Sequence, residues 1–154
     1  MLFKKISILI FLILFSFSAT ANAPRSTGKY KNWESFTVQT DKGKICFAQT
    51  IPTKRAPASI KREKSKLFVT FRPSENIKDE VSMTSGHDYK SSTVTASSGK
   101  KRYSFFSQKN FAWLLDDQEE RAFIKTMKRA TNVIVKARTT KGAETTDHYS
   151  MMGF

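Results

Sequence analysis

The chain has 154 residues, room for one domain and hardly two. Its 27 Lys and Arg against 13 Asp and Glu give a formal charge of +14, and its single cysteine, Cys46, excludes an internal disulfide. What remains is a basic domain held together by packing. The opening Met1-Leu2-Phe3-Lys4-Lys5 is short and positive, an apolar run follows over 6–17, and small residues lead to Ala23. This layout predicts a secretory signal over 1–21, since the run falls short of the ~20 residues a membrane-spanning helix needs. Cleavage after Ala21 is favoured over the next site, where Pro24 would follow the cut with a fixed φ and no N–H. Removal of that segment leaves 133 residues with 25 basic and 13 acidic side chains. The expected location is the periplasm, the outer envelope or the medium.

Residues 22–31 are small, polar and basic, and predict a flexible lead-in. A single domain is expected over 32–154. Alternation over 33–40, a turn at Asp41 to Lys44 and a return over 45–50 predict a hairpin. Pro52, Pro57 and the charged run at 61–66 predict a surface loop. Strands are expected over 67–71 and 80–83, and a second hairpin over 93–96 and 102–106. Asp116 followed by Glu119 looks like a helix start of capping-box type. Acidic residues then open a segment that Lys125, Lys128 and Arg129 close, which suits the helix dipole. Phe123 and Met127 share one face of it, so a helix of about three turns is predicted over 117–129. Strands over 133–137 and 145–151 complete a mostly β chain. Seven or so short strands with regular turns and one helix predict a β-sandwich.

The order of motifs also resembles the invasion-associated locus B family of bacterial exported proteins. Ala112-Trp113 precedes the acidic helix start at Asp116, and Met127-Lys128-Arg129-Ala130 ends the helix. After it come Val133-Ile134-Val135-Lys136-Ala137, the turn Lys141-Gly142-Ala143, and Thr146-Asp147-His148-Tyr149-Ser150-Met151-Met152-Gly153-Phe154. Trp33, Cys46-Phe47-Ala48-Gln49, Phe71-Arg72-Pro73 and Glu80-Val81-Ser82 extend the likeness to most of the chain beyond the signal. The resemblance implies an immunoglobulin-like sandwich exported to the periplasm or outer envelope, in a family linked to host-cell entry. Many members carry a cysteine shortly after the position of Trp33. Ser35 to Thr40 holds none, so a family disulfide through Cys46 has no partner here.

Catalytic chemistry finds little to work with. Cys46, His148 and Asp147 are the one set that could serve as nucleophile, base and orienting acid, the basis of an alternative reading as a thiol-dependent enzyme. A cysteine between Ile45 and Phe47 in a strand is better read as a small apolar side chain. His87 and His148 have no metal-ligand spacing, and no phosphate loop, dinucleotide fingerprint or nucleophile elbow occurs. No catalytic residue, metal or cofactor is expected. The positive charge does carry functional content. Lys61, Arg62, Lys64 and Lys66, with Lys100, Lys101 and Arg102, are the candidate site for a polyanion. The partners they fit are an anionic envelope component, an envelope protein or a membrane surface touched peripherally, with nucleic acid not expected outside the cell. Trp33 and Trp113 are expected in the core, a sugar-stacking platform being the alternative use. Tyr149 is expected to act as a corner tyrosine, ring buried and hydroxyl bonded to backbone. The expectation is a non-enzymatic envelope binding module, with a secreted host-cell adhesion or invasion factor as the other candidate.

Overall fold

Where apolar and polar residues alternate, strands form. The computed structural model describes residues 22–154, and the expected signal at 1–21 lies outside them. Eleven strands form: β1 (Arg25–Tyr30), β2 (Trp33–Thr40), β3 (Gly43–Thr50), β4 (Lys54–Ala56), β5 (Lys66–Arg72), β6 (Ile77–Thr84), β7 (Val94–Ser98), β8 (Lys101–Gln108), β9 (Phe111–Trp113), β10 (Asn132–Arg138) and β11 (Glu144–Ser150). Among the described residues the one α-helix, α1, spans Asp117–Met127. The architecture is mostly β and sandwich-like, as the sequence predicts. All strands join one antiparallel hydrogen-bonded order, β1-β2-β3-β5-β6-β9-β8-β7-β10-β11-β4.

β8 connects the two halves of that order. Its first part, from Lys101 to Phe105, pairs with β7, while Phe106 to Gln108 pair with β9. Alternation sends one set of side chains from each half into a shared core. Leu67 and Val69 point inward from β5, Val81 and Met83 from β6, and Val133 and Val135 from β10. Each such side chain stabilises the fold by about 1.5–3 kcal/mol relative to leaving it in water. Trp33 takes the core position expected of it. Its indole N–H donates to the Ser150 carbonyl at 3.1 Å, and its ring lies 4.7 Å from that of Phe154. The beginning of β2 and the end of β11 are thereby joined.

The helix forms where the cap predicts and stops two residues earlier. Asp116 Oδ1 accepts from the N–H groups of Gln118 and Glu119, both at 2.9 Å. Phe123 packs against Tyr103 at 4.8 Å and Phe105 at 5.6 Å between ring centroids. One turn earlier, buried Glu120 accepts the Val81 N–H at 3.0 Å. β9 pairs only with Ser82 and Met83 of β6, so the helix supplies an acceptor where that strand has ended.

Three strands were not expected. Residues 22–31 are not a free lead-in, because β1 pairs along β2. Ser26 Oγ donates to Glu34 Oε1 at 2.8 Å, and the hydroxyls of Thr27 and Ser35 meet at 2.9 Å. β1 buries almost nothing, so no apolar pattern announced it. β4 arises within the expected loop by pairing with the free edge of β11, and β9 bridges β6 to β8.

Candidate functional site

The basic residues singled out by the sequence divide into different roles. Lys61 and Lys64 are exposed on the connection between β4 and β5. Arg62, beside them, is not a surface group: its side chain is 2% exposed and that of Asp147 is 1% exposed. Its two terminal nitrogens donate to Asp147 Oδ2 at 2.8 Å and Oδ1 at 2.6 Å. It also donates to Ser65 Oγ at 3.0 Å and the Ser85 carbonyl at 2.8 Å. Arg62 is thus withdrawn from any outside ligand, because a fork of N–H donors in a dry site is satisfied by the carboxylate it faces. The same segment is fastened by Glu63, whose N–H donates to the Gly86 carbonyl at 2.9 Å. Gly86 has a φ of +74°, and a Cβ there would lie 2.1 Å from the Glu63 carbonyl oxygen.

Lys66 is half-buried, with Nζ 5.9 Å from the centre of the Phe68 ring. Lys100, Lys101 and Arg102 are exposed at the turn from β7 to β8. There Lys100 and Lys101 meet the end of α1 rather than the 61–66 segment, while Arg102 points to the other side of β8. Lys101 Nζ donates to Thr126 Oγ1 at 3.4 Å, and Arg129 lines the same shallow depression as Lys100 and Lys101. In the sequence Arg129 counts only as a helix-dipole charge, and the spacing of the helix gives no sign of its neighbours.

The Cys46, His148 and Asp147 set is not brought together. Alternation on β11 turns Asp147 inward to Arg62 and leaves half-buried His148 on the opposite side of the strand. Cys46 pairs with Thr37 and Phe71 on β3, a half-buried free thiol in the other part of the sheet order. His87 has Nε2 2.9 Å from Thr145 Oγ1 and Nδ1 3.0 Å from the Asp88 carbonyl, so its neighbour's backbone rather than its carboxylate is the partner. Among the described residues no group of three His, Cys, Asp or Glu is placed to hold a metal, and no helix is long and apolar enough to cross a membrane.

Tyr149 departs from its expected role. The ring is fully buried, yet its hydroxyl has no hydrogen-bond partner among the described residues. Burial pushes its phenol well above the usual value, with Asp147 adding to the effect. Burial likewise raises Tyr89 to about 12, against the lowering influence of its hydrogen bond to Ser85.

The most unusual surface lies on the outward side of β2, β3, β5, β6, β9 and the end of β8. Phe36 faces Phe47 across one strand pair, and Phe47 faces Thr70 across the next. One step along the strands, Phe68 pairs with Ser82, Ser82 with Trp113, and Trp113 with Phe106. Phe111 stands two residues before Trp113 on the same side. Ring centroids are 5.1 Å apart for Phe36 and Phe47, 6.3 Å for Phe47 and Phe68, 6.5 Å for Phe68 and Phe111, and 5.3 Å for Phe106 and Trp113. Phe106 is 49% exposed and Phe111 42%, while the other four are half-buried by one another. Trp113 is therefore outside the core, and it is Ala112, between two outward aromatic rings, that is buried.

Ser82 is small, so its position on β6 sinks into a groove of about 510 Å³ between Phe47 and Phe68 on one side and Phe111 and Trp113 on the other. Thr70 shares the floor, and Arg72 and Glu80 close one end. Arg72 donates to both Glu80 oxygens, at 3.1 and 2.5 Å. That hydrogen bonding holds the Arg72 guanidinium above its ordinary value despite the opposing cost of burial. An apolar concavity with a few fixed polar groups can hold a ligand in one orientation. No family model, curated protein or solved structure matches this chain.

Proposed function

We propose that this chain is an exported, non-catalytic binding module of the bacterial periplasm or envelope, related to the invasion-associated locus B family, and that its working surface is the aromatic face. The observation that carries the reading is the set of six aromatic side chains running from Phe36 to Phe106 on the outer side of the sheet. Large contiguous apolar surfaces on soluble proteins mark interaction sites, because leaving them in water costs free energy that folding alone does not recover. The signal-like order of residues 1–21 supports export, and the succession of motifs from Trp33 to Phe154 supports the family assignment. The non-catalytic part rests on Asp147, whose carboxylate is committed to Arg62. Lys61 and Lys64, and separately Lys100, Lys101 and Arg129, give the module a positive field that draws anionic envelope components toward it.

The test is retention of envelope components by immobilised protein. Wild type is compared with a Phe106→Ser, Phe111→Ser double variant and with a Lys100→Ala, Lys101→Ala pair. The expected result is a component held by wild type and lost from the aromatic variant, with the melting temperature of that variant unchanged. Equal retention by wild type and the aromatic variant would contradict the proposal.

A further inference from the structure

The groove over Ser82 is more selective than its aromatic walls suggest. Thr70 and Ser82 place hydroxyls along its floor, and the Arg72–Glu80 pair stands at its end. A hydrocarbon chain laid there would strip water from both hydroxyls and from an ion pair and replace none of those hydrogen bonds. A pyranose ring meets both demands. Its C–H face carries the partial positive charge that the negative face of an aromatic ring attracts. Its edge carries hydroxyls that donate and accept, matching Thr70, Ser82 and the fixed carboxylate and guanidinium.

Successive aromatic positions also suit a chain rather than a single sugar. Centroid separations of 5.1 to 6.5 Å continue from Phe36 to Phe111, on strands spaced about 4.8 Å apart. Charge decides which sugars. Among the described residues Glu80 is the sole acidic side chain lining the groove, and Arg72 neutralises it. Lys66 stands over Phe68, at the rim of the aromatic face. Residues 22–154 carry 25 basic side chains against 13 acidic ones, so an anionic chain is drawn to this protein and a cationic one repelled.

We infer that the aromatic face binds an acidic polysaccharide built from uronic acids, its pyranose rings lying against Phe68 and Trp113 and its carboxylates directed toward Lys66. This rests on the reading of the aromatic face as the working surface.

The test is calorimetric titration of the purified protein with oligogalacturonate, with a cello-oligosaccharide of equal length as neutral control and phosphatidylglycerol vesicles as lipid control. Binding of the acidic probe is expected, at least tenfold tighter than the neutral one and weakening as salt rises. Trp113→Ala should weaken it tenfold or more. Ser82→Tyr, which fills the groove from an outward position, should abolish it without lowering the melting temperature. Lys66→Gln should narrow the gap between acidic and neutral probes. Equal affinity for both sugars, or wild-type affinity in the Trp113→Ala and Ser82→Tyr variants, would overturn the inference. If the acidic sugar does not bind while vesicles or envelope material bind wild type and not the aromatic variants, the sugar assignment falls and the face survives as a binding surface. If envelope retention also ignores the aromatic variants, both fall together.

Discussion

Arg62 and Asp147 lie 85 residues apart in the chain and meet as a bidentate, solvent-excluded ion pair. The arginine comes from an irregular connection and the aspartate from the middle of β11, so the pair fixes that connection across the edge of the sheet. Burying two charges is costly, and their mutual attraction repays it only while both are present.

Removing one partner should therefore be far worse than removing a neighbouring lysine. Arg62→Ala or Asp147→Ala is expected to lower unfolding free energy by about 3–5 kcal/mol, measured by urea denaturation. Lys61→Ala and Lys64→Ala, both exposed, should stay within about 0.5 kcal/mol of wild type. The double replacement Arg62→Met, Asp147→Leu should recover much of the loss. Equal, small effects at all four positions would show that the pair is not formed.

Glu120 couples the helix to the sheet and makes stability depend on pH. Burial pushes its carboxyl above the usual value; the Val81 N–H opposes this, and Glu80, Asp117 and Asp79 add to the rise. Between the usual carboxyl value and the raised one the folded protein holds a proton the unfolded chain has already released, so stability falls as pH rises through that range. Glu120→Gln keeps an oxygen to accept the Val81 N–H and removes the titration. Denaturation between about pH 4 and pH 7 should give a flatter profile for the variant and at least wild-type stability at neutral pH. A steeper profile, or a large loss at neutral pH, would be inconsistent with this role.

The unpartnered Tyr149 hydroxyl is a built-in cost. An unsatisfied buried polar group costs about 1–3 kcal/mol, so Tyr149→Phe should leave stability unchanged or raise it by about 1 kcal/mol. Tyr89→Phe, which removes a hydrogen bond to Ser85, should lower it by a similar amount. Because both phenols are raised, ionising them opposes folding, and stability drops as alkaline pH passes through their range. Absorbance titration should show two tyrosines ionising only as the fold is lost.

The helix start offers a smaller check. Asp116→Ala deletes the acceptor of two N–H groups and should cost about 1 kcal/mol, read from thermal melting. Asp116→Asn should keep most of it.

How far the fold could be read from sequence depended on whether each residue's partner was local. Alternation around Trp33 to Thr40 and Val133 to Ala137 displayed those strands, and Asp116 displayed the helix. β1 was invisible because Arg25-Ser26-Thr27-Gly28-Lys29-Tyr30 buries no apolar side chain and exists only as a partner of β2. Arg62 was indistinguishable from Lys61 and Lys64, since its partner lies 85 positions later. The aromatic face was obscured for another reason. Leu67-Phe68-Val69-Thr70-Phe71 is apolar on both sides, so periodicity could not say which ring faces water. In Phe111-Ala112-Trp113 the small residue points in and the large ones out, the reverse of ordinary packing. That inversion was the one sequence signal that could have placed Trp113 outside.

The aromatic face can be watched directly through its tryptophan. Trp33 is 2% exposed, so acrylamide quenching of the folded protein reports chiefly on Trp113, and Trp113→Phe supplies the background. Quenching is measured as solubilised envelope material is added and its binding is followed in parallel. Protection of Trp113 in proportion to binding is the predicted result; material that binds while Trp113 stays as open to quencher as before would show that the working surface lies elsewhere.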